Sequence, residues 1–245
     1  MSLKKNENEF FLASFPRSGN TWARFLIANV YNGIRKGFSE VDFFNIHDIV
    51  PELKPNENEL PGTYYRDLPA VIKTHSIFTN LMINTILILR NPFDSIYSYW
   101  DFLNFNTGRD IGRDLSLAEV IKHEKYGIGA IVKHSNSFIR NCKNLLIITY
   151  ESLKCDPHKE LKKICDFLNL NVNDEMIDKA VEESSFNSMR KIEMRKGRKF
   201  GRRDFKFMRN GEVGSGIEVI KKDDQLYRFM LNGLKKSPVL YLLYS

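Results

Sequence analysis

Four short, mainly apolar runs, separated by longer segments, constrain most strongly how this chain folds. Each run is the length of a strand and shorter than a typical helix. The runs are Phe10–Phe15, Ala70–His75, Thr85–Arg90 and Leu145–Tyr150. Strands that are apolar along their whole length are buried on both faces, as in parallel sheets covered by helices. The alternation of these strands with helices predicts an α/β fold with a mainly parallel central sheet flanked by helices.

Helix start signals occur in the segments between and after the strands. Ser116 begins a capping box with Glu119, and Asp156 and Asn173 are further predicted N-caps. Pro92 opens another helix after the third strand, which we expect to end near Trp100. The following segment, 103–114, is rich in Gly and Asn and is predicted to be a loop.

Polar residues follow each predicted strand at its carboxyl end. They are Arg17, His75, Arg90 and Tyr150. In open parallel sheets the carboxyl ends of the strands meet at one edge, where ligands bind. These four residues are therefore expected to surround one binding site.

The turn after the first strand has the composition of an anion-binding loop. Residues 16–20 connect that strand to a helix that begins near Thr21. The free backbone N–H groups and the positive dipole end of a helix N-terminus favour an anion. Side chains of Arg17, Ser18, Asn20 and Thr21 add donors. We expect a phosphate or a sulfate here, and the alternative is an ordinary strand-to-helix turn.

Composition narrows the class of protein further. A chain of 245 residues with 42% apolar content predicts one globular domain over 1–245, and no run is long enough to span a membrane. Three cysteines without metal-ligand spacing and an N-terminus without a signal-peptide pattern predict a cytoplasmic protein with reduced thiols. The formal net charge of +7 is concentrated in residues 190–209, which carry ten basic and two acidic residues. Such a segment requires an anionic partner or is a solvated surface.

The anion is not predicted to be a nucleoside triphosphate with Mg²⁺. The P-loop of nucleotide kinases needs G-x-x-x-x-G-K-[ST], and the loop at 16–20 has one glycine and no Gly-Lys pair. No strand ends in an aspartate placed to hold a metal. A nucleotide bound without metal stays open, and we predict no metal site.

Six segments, in order along the chain, resemble those of the cytosolic-type sulfotransferases. These enzymes transfer a sulfuryl group from 3′-phosphoadenosine 5′-phosphosulfate (PAPS) and release 3′,5′-adenosine bisphosphate (PAP). The similar segments are Ser14–Trp22, Ile72–His75, Leu89–Ser98, Thr149–Pro157, Ser184–Met189 and Phe207–Gly211. The resemblance implies the P-loop-NTPase-like fold of that family, without metal.

The resemblance also implies roles for individual residues. His75 would be the general base that takes the acceptor's proton, and Lys73 would neutralise the oxygen of the departing phosphate. Arg90 and Ser98 would bind the 3′-phosphate. The full set implied for cofactor binding is Arg17, Ser18, Gly19, Asn20, Thr21, Trp22, Arg90, Ser98, Tyr150, Ser184, Phe186, Met189, Phe207, Met208, Arg209, Asn210 and Gly211.

The chain departs from the family pattern at three places. Arg17 replaces the usual loop lysine, and Asn210 stands where a second cation is common. The later segment lacks the sequence and the dimerisation motif typical of animal members, so a divergent, bacterial-type member is expected and the oligomeric state is left open.

The acceptor is expected to be a small molecule with a hydroxyl or amine, bound near Phe15, Phe78 and segment 103–114. Two alternatives stay open: a nucleotide-dependent phosphotransferase, or a nucleic-acid-binding module using residues 190–209. The hypothesis that the chain is a sulfotransferase predicts no nucleic-acid partner.

Overall fold

The computed structural model describes residues 8–53, 60–106, 115–198 and 211–245. The strands are β1 (Glu9–Ser14), β2 (Ala70–Thr74), β3 (Asn84–Leu89) and β4 (Asn144–Thr149). The helices are α1 (Asn20–Arg35), α2 (Ile46–Ile49), α3 (Pro92–Asn106), α4 (Leu117–Lys122), α5 (Ile128–Asn141), α6 (Tyr150–Cys155), α7 (Pro157–Phe167), α8 (Asp174–Glu183), α9 (Phe186–Lys196), α10 (Ser215–Ile220), α11 (Asp224–Leu234) and α12 (Pro238–Tyr244).

The strands form a parallel sheet in the order β2-β1-β3-β4. The register pairs Leu12 with Lys73 and Leu89 with Thr149, so the carboxyl ends of the strands lie at one edge. The predicted mainly parallel α/β fold is confirmed.

Each face of the sheet carries its own apolar core, because alternate side chains of a strand point to opposite faces. On one face Phe10 and Leu12 pack with residues of α1, α7 and α8. On the other, Phe11 and Ala13 pack with residues of α3, α5 and α11. Both faces of the sheet are thus covered by helices, which explains why the strands are mainly apolar along their length.

The fourth strand corrects one prediction. β4 is not buried along its length: it pairs only with β3 among the described strands, and Ile147 is 37% exposed. Tyr150, predicted to end this strand, is instead the first residue of α6, with Thr149 as its N-cap. The run Leu-Leu-Ile-Ile has the composition of a central strand but occupies the edge of the described sheet.

The helix starts follow the predicted caps, and one helix end does not. The capping box of Ser116 with Glu119 is present, and Asp156 and Asn173 cap α7 and α8. The helix from Pro92 continues past Trp100 to Asn106, so residues 103–106 are helical and not part of a loop. Residues 107–114 lie outside the described residues. Apolar packing explains the extension, since Leu103 is buried in the second core.

No helix of the described residues is both long and apolar enough to cross a membrane.

Candidate active site at the carboxyl edge of the sheet

A cavity of about 960 Å³ lies at the carboxyl edge of the sheet. All four residues predicted to surround a site there line it, Arg17, His75, Arg90 and Tyr150. The predicted convergence of the strand ends is therefore present in the structure. The other residues lining the cavity are Pro16, Gly19, Asn20, Thr21, Trp22, Asp94, Tyr97, Ser98, Tyr99, Phe102, Lys154, Pro157, Val181, Ser185, Phe186, Met189, Arg190, Gly211 and Ser215.

The loop between β1 and α1 presents backbone to this cavity. Arg17 and Gly19 both have left-handed backbone conformations, with φ of 68° and 93°. Gly19 is the N-cap of α1 and supplies no side-chain cap, so the first N–H groups of the helix lack a capping side chain. A Cβ at Gly19 would come within 2.5 Å of the Tyr150 ring, so this position requires glycine. The loop has the backbone arrangement of an anion site.

The side chains of Ser18 and Asn20 connect the loop to neighbouring elements. Asn20 is buried and donates to Leu12 O at 3.3 Å and to Ser14 Oγ at 3.1 Å. The hydroxyl of Ser18 is also buried and lies 3.5 Å from that of Ser95 on α3. Both amide protons of Asn20 are thus directed at β1, and these side chains stabilise the loop in its conformation.

His75 is held in one tautomer by the backbone of β1. Its Nδ1 lies 2.7 Å from the carbonyl oxygen of Ser14. Because a carbonyl oxygen only accepts, Nδ1 carries the proton and Nε2 keeps its lone pair. Burial, followed by the charge of Lys73, lowers the pKa of His75 well below its usual value. The imidazole is therefore neutral at pH 7 and able to accept a proton.

Lys73 lies in β2, two residues before His75, and is not among the residues that line the cavity. It forms a salt bridge with Glu52, and the lysine side chain is nearly buried. Burial lowers the pKa of Lys73 to about 8, while the negative charge of Glu52 opposes that shift. Lys73 does not line the cavity, and its positive charge contributes to the lowered pKa of His75.

Arg90 connects the two sides of the cavity. Its Nη1 donates to Arg17 O at 3.0 Å and its Nη2 to Glu212 O at 3.1 Å. The guanidinium lies over the Tyr150 ring, 4.3 Å from its centroid. Its Nε is buried and has no hydrogen-bond partner among the described residues. Nearby, Arg17 Nε donates to Ser98 Oγ at 3.1 Å.

Aromatic residues line the cavity around Tyr150. Trp22 packs edge-on against Tyr150, with ring centroids 5.9 Å apart, and the buried Trp22 Nε1 has no hydrogen-bond partner among the described residues. Phe186 and Met189 of α9 also line the cavity. Gly211 also lines the cavity and accepts from the Tyr150 hydroxyl at 3.2 Å. The other predicted residues of that segment, Phe207, Met208, Arg209 and Asn210, lie outside the described residues.

The structure places Ser184 away from the cavity. Its hydroxyl is fully buried and accepts a hydrogen bond from Asn29 Nδ2 at 2.9 Å. Its neighbour Ser185 lines the cavity and is the N-cap of α9. The Ser185 hydroxyl accepts from the N–H of Ser188, and this cap distinguishes the two serines in the structure.

The side of the cavity next to His75 is lined by Tyr97, Tyr99 and Phe102 of α3. The sequence analysis assigned no site role to them: Tyr97 and Tyr99 lie within the helix predicted from Pro92 to Trp100, and Phe102 lies just beyond its predicted end. Phe15, predicted to wall this side, is buried behind Tyr99, with ring centroids 6.0 Å apart. Phe78 packs against Phe138 of α5 and is not among the lining residues.

The comparisons with known proteins identify the family. A family model described as "Sulfotransferase domain" matches residues 7–225. Cytosolic sulfotransferase 9 of Arabidopsis thaliana is 25% identical over 282 residues, covering 95% of this chain and 80% of the relative. Sulfotransferase 1C2 of Rattus norvegicus is 24% identical over 261 residues, covering 95% and 86%.

Solved structures share the fold. Mouse sulfotransferase SULT7A1 complexed with PAP matches with a TM-score of 0.70 at 23% identity, covering 97% of this chain and 87% of that one. Retinol dehydratase in complex with retinol and PAP also gives 0.70, at 17% identity with coverage of 97% and 84%. Together with the match over residues 7–225, these findings show that the chain belongs to the sulfotransferase family, as a divergent member of the cytosolic type.

Proposed function

We propose that this sulfotransferase moves a sulfuryl group from PAPS to a hydroxyl or amine of a small-molecule acceptor. The observation that carries the proposal is that one cavity is lined both by a neutral, oriented His75 and by the N-terminus of α1, which has no capping side chain. The relatives' printed names and the PAP in the two solved structures support the same donor. The names also support a cytosolic location.

The walls of the cavity offer donors for two phosphates of a nucleotide. The loop from Arg17 to Thr21 offers backbone N–H groups and a guanidinium for the 5′ side. Arg90 and Ser98, each hydrogen-bonded to Arg17, offer the donors that suit a 3′-phosphate.

The residues of the chain then have distinct tasks in sulfuryl transfer. His75 Nε2 takes the proton from the acceptor as the new oxygen–sulfur or nitrogen–sulfur bond forms. The loop at Arg17–Thr21 stabilises the charge on the 5′-phosphate as the bridging sulfur–oxygen bond breaks. Lys73 supports the base, since its positive charge contributes to the lowered pKa of His75. The leaving-group role predicted for Lys73 would require its ammonium to leave Glu52.

The aromatic lining beside His75 supports a small organic acceptor. Tyr97, Tyr99 and Phe102 offer apolar surface with two hydroxyls. Retinol is bound in one related structure of retinol dehydratase and androsterone in another, and both molecules are small alcohols. We propose an acceptor of that general kind for this chain.

A thermal-shift comparison tests the donor. PAP at a hundred times its Kd should raise the Tm by about 5 to 10 °C, and ATP with Mg²⁺ should raise it much less. Arg90→Ala should remove most of the PAP shift, whereas Arg228→Ala, on an exposed face of α11, should keep it. The absence of a PAP shift in the wild type would overturn the proposal.

The same assay separates the two alternatives. A phosphotransferase predicts a larger shift with ATP than with PAP and transfer of phosphate from ATP. A nucleic-acid-binding module predicts affinity for oligonucleotides that falls steeply with salt. Either result, without PAP binding, would replace the sulfotransferase reaction as the function of this cavity.

A further inference from the structure

Asp94 is a buried carboxylate in the first turn of α3, and it lines the cavity. Its side chain makes two hydrogen bonds to the backbone of a segment 120 residues later. The Gly214 N–H donates to Oδ2 and the Gly216 N–H donates to Oδ1, each at 2.8 Å. Such bonds to an ionised carboxylate are stronger than those between neutral groups.

The two glycines allow the segment to lie directly on α3. Gly214 has a φ of 96°, which side-chain-bearing residues rarely adopt. A Cβ at Gly216 would lie 2.3 Å from the carbonyl oxygen of Phe93, so only glycine fits in this position. Backbone therefore packs on backbone here, with the Asp94 carboxylate joining the two.

The same segment contacts the residues that we assign to the 3′-phosphate end. Glu212 O accepts from Arg90 Nη2 at 3.1 Å, and Gly211 O accepts from the Tyr150 hydroxyl at 3.2 Å. Arg90 and Asp94 are one helical turn apart in sequence, at the junction of β3 and α3. Residues 211–216 are thus attached to α3 at one end and to Arg90 and Tyr150 at the other.

We propose that Asp94 is a positioning residue for the 3′-phosphate: by holding residues 211–216 it fixes the carbonyl that orients Arg90. This inference rests on the proposed function, since it assigns Arg90 to that phosphate. Asp94 itself is not a ligand for the phosphate, because a carboxylate repels it and both oxygens already accept N–H groups.

The test compares two nucleotides that differ only in the 3′-phosphate. Binding of PAP and of AMP is measured by calorimetry for the wild type, Asp94→Asn and Glu218→Gln. Asp94→Asn keeps the size of the side chain but turns its NH₂ toward one of the backbone donors. We expect PAP affinity to fall about tenfold and AMP affinity to change less than twofold. The KM for PAPS should rise with kcat nearly unchanged.

Glu218→Gln is the matched control. Glu218 is an exposed acidic residue of α10, four residues after Gly214. Its substitution removes one negative charge, as Asp94→Asn does, without changing either acceptor of the two hydrogen bonds at Asp94. It should bind both nucleotides as the wild type does. A folded Asp94→Asn that keeps the wild-type preference for PAP over AMP, or that weakens both equally, would overturn the inference.

Hydrogen exchange in the unmodified protein gives a second, independent test. The amides of Gly214 and Gly216 should exchange much more slowly than those of a free peptide. This measurement tests their hydrogen bonds to Asp94 even if Asp94→Asn fails to fold. Exchange at the free-peptide rate would contradict the hydrogen bonds from these two amides to Asp94. Wild-type protein that does not bind PAP would instead remove the proposed function, so the two failures are distinguishable.

Discussion

The two ends of the cavity are built from different kinds of groups. The end that we assign to the nucleotide contains permanent cations, with Arg17, Arg90 and the N-terminus of α1 beside aromatic rings. The end that we assign to the acceptor contains aromatic rings and the neutral His75, with a second neutral histidine, His134, packed behind Phe15. The arginines of the first end stay charged at physiological pH, whereas removal of a proton at the second end depends on His75 staying neutral.

The difference teaches how one cavity separates binding from chemistry. Arginine guanidinium groups stay charged at every physiological pH and hold a phosphate through paired donors. An imidazole works as a base only when it is unprotonated. Changes at one end should therefore alter the affinity for the nucleotide, and changes at the other should alter the rate of transfer.

The largest expected effect is the loss of turnover in His75→Ala. Removal of a general base typically costs 10²–10⁴ in rate, so we expect about a thousandfold loss of kcat with PAPS and an active small alcohol or phenol. The affinity for PAP, measured by calorimetry, should stay within about twofold, because His75 is not assigned to the phosphates. His158→Ala, on α7, should leave both quantities unchanged.

The pH profile of the wild type sharpens this prediction. Since the pKa of His75 is lowered, the base is already neutral above pH 6.5 and kcat/KM should be flat from there to pH 8. The rate should fall only in more acidic buffer, where the imidazole becomes protonated. Retained turnover in His75→Ala, or a profile that is highest in acid, would contradict the role of base.

An intermediate effect is expected for Gly19→Ala at the nucleotide end. Alanine would be strained at a φ of 93° and its Cβ would collide with the Tyr150 ring. We expect a loss of about 2 kcal/mol, seen as a roughly thirtyfold weaker PAP affinity or as an equal loss in the free energy of unfolding. Gly129→Ala is the control, because no atom lies within 4 Å of a Cβ there and the site is helical. An unaffected Gly19→Ala would show that the loop is not shaped as described.

The smallest effect is expected from acid acting on His134. Burial lowers the pKa of His134 to about 4, whereas the unfolded chain takes up that proton near pH 6.5. The unfolded state therefore binds more protons in this range, and His134 should contribute about 1.4 kcal/mol to the decrease in the free energy of unfolding between pH 7.5 and 5.5. His134→Leu should reduce that decrease, as measured by urea unfolding, and His158→Gln should not.

The sequence predicted the strand ends and helix starts around the site better than the contacts of individual side chains. The first depend on residues close together in the chain, and the second depend on residues far apart in it. Strand ends and helix caps are local, so Arg17, His75, Arg90 and the cap at Ser116 were placed correctly. The direction of Lys73 depends on Glu52, which approaches β2 through an isolated bridge between those two residues. No local pattern in the sequence reveals such a pairing.

Two further differences have the same cause. β4 has the composition of a buried strand, yet what lies beside it is decided by topology and not by its own residues. The end of α3 is set by the packing of Leu103 in the second core rather than by the polar residues that follow. Phe102, which lines the cavity, could be assigned to this helix only once its extension past Trp100 had been seen.

The hydrogen bond from His75 to the carbonyl of Ser14 has a consequence for how this enzyme can evolve. The group that orients the base belongs to the main chain of β1, at the point where β1 runs beside β2. Point mutations replace side chains and leave carbonyl groups in place. Descendants of this chain can therefore exchange the side chains around the acceptor, and so acquire new acceptors, while inheriting a correctly oriented base from the sheet itself.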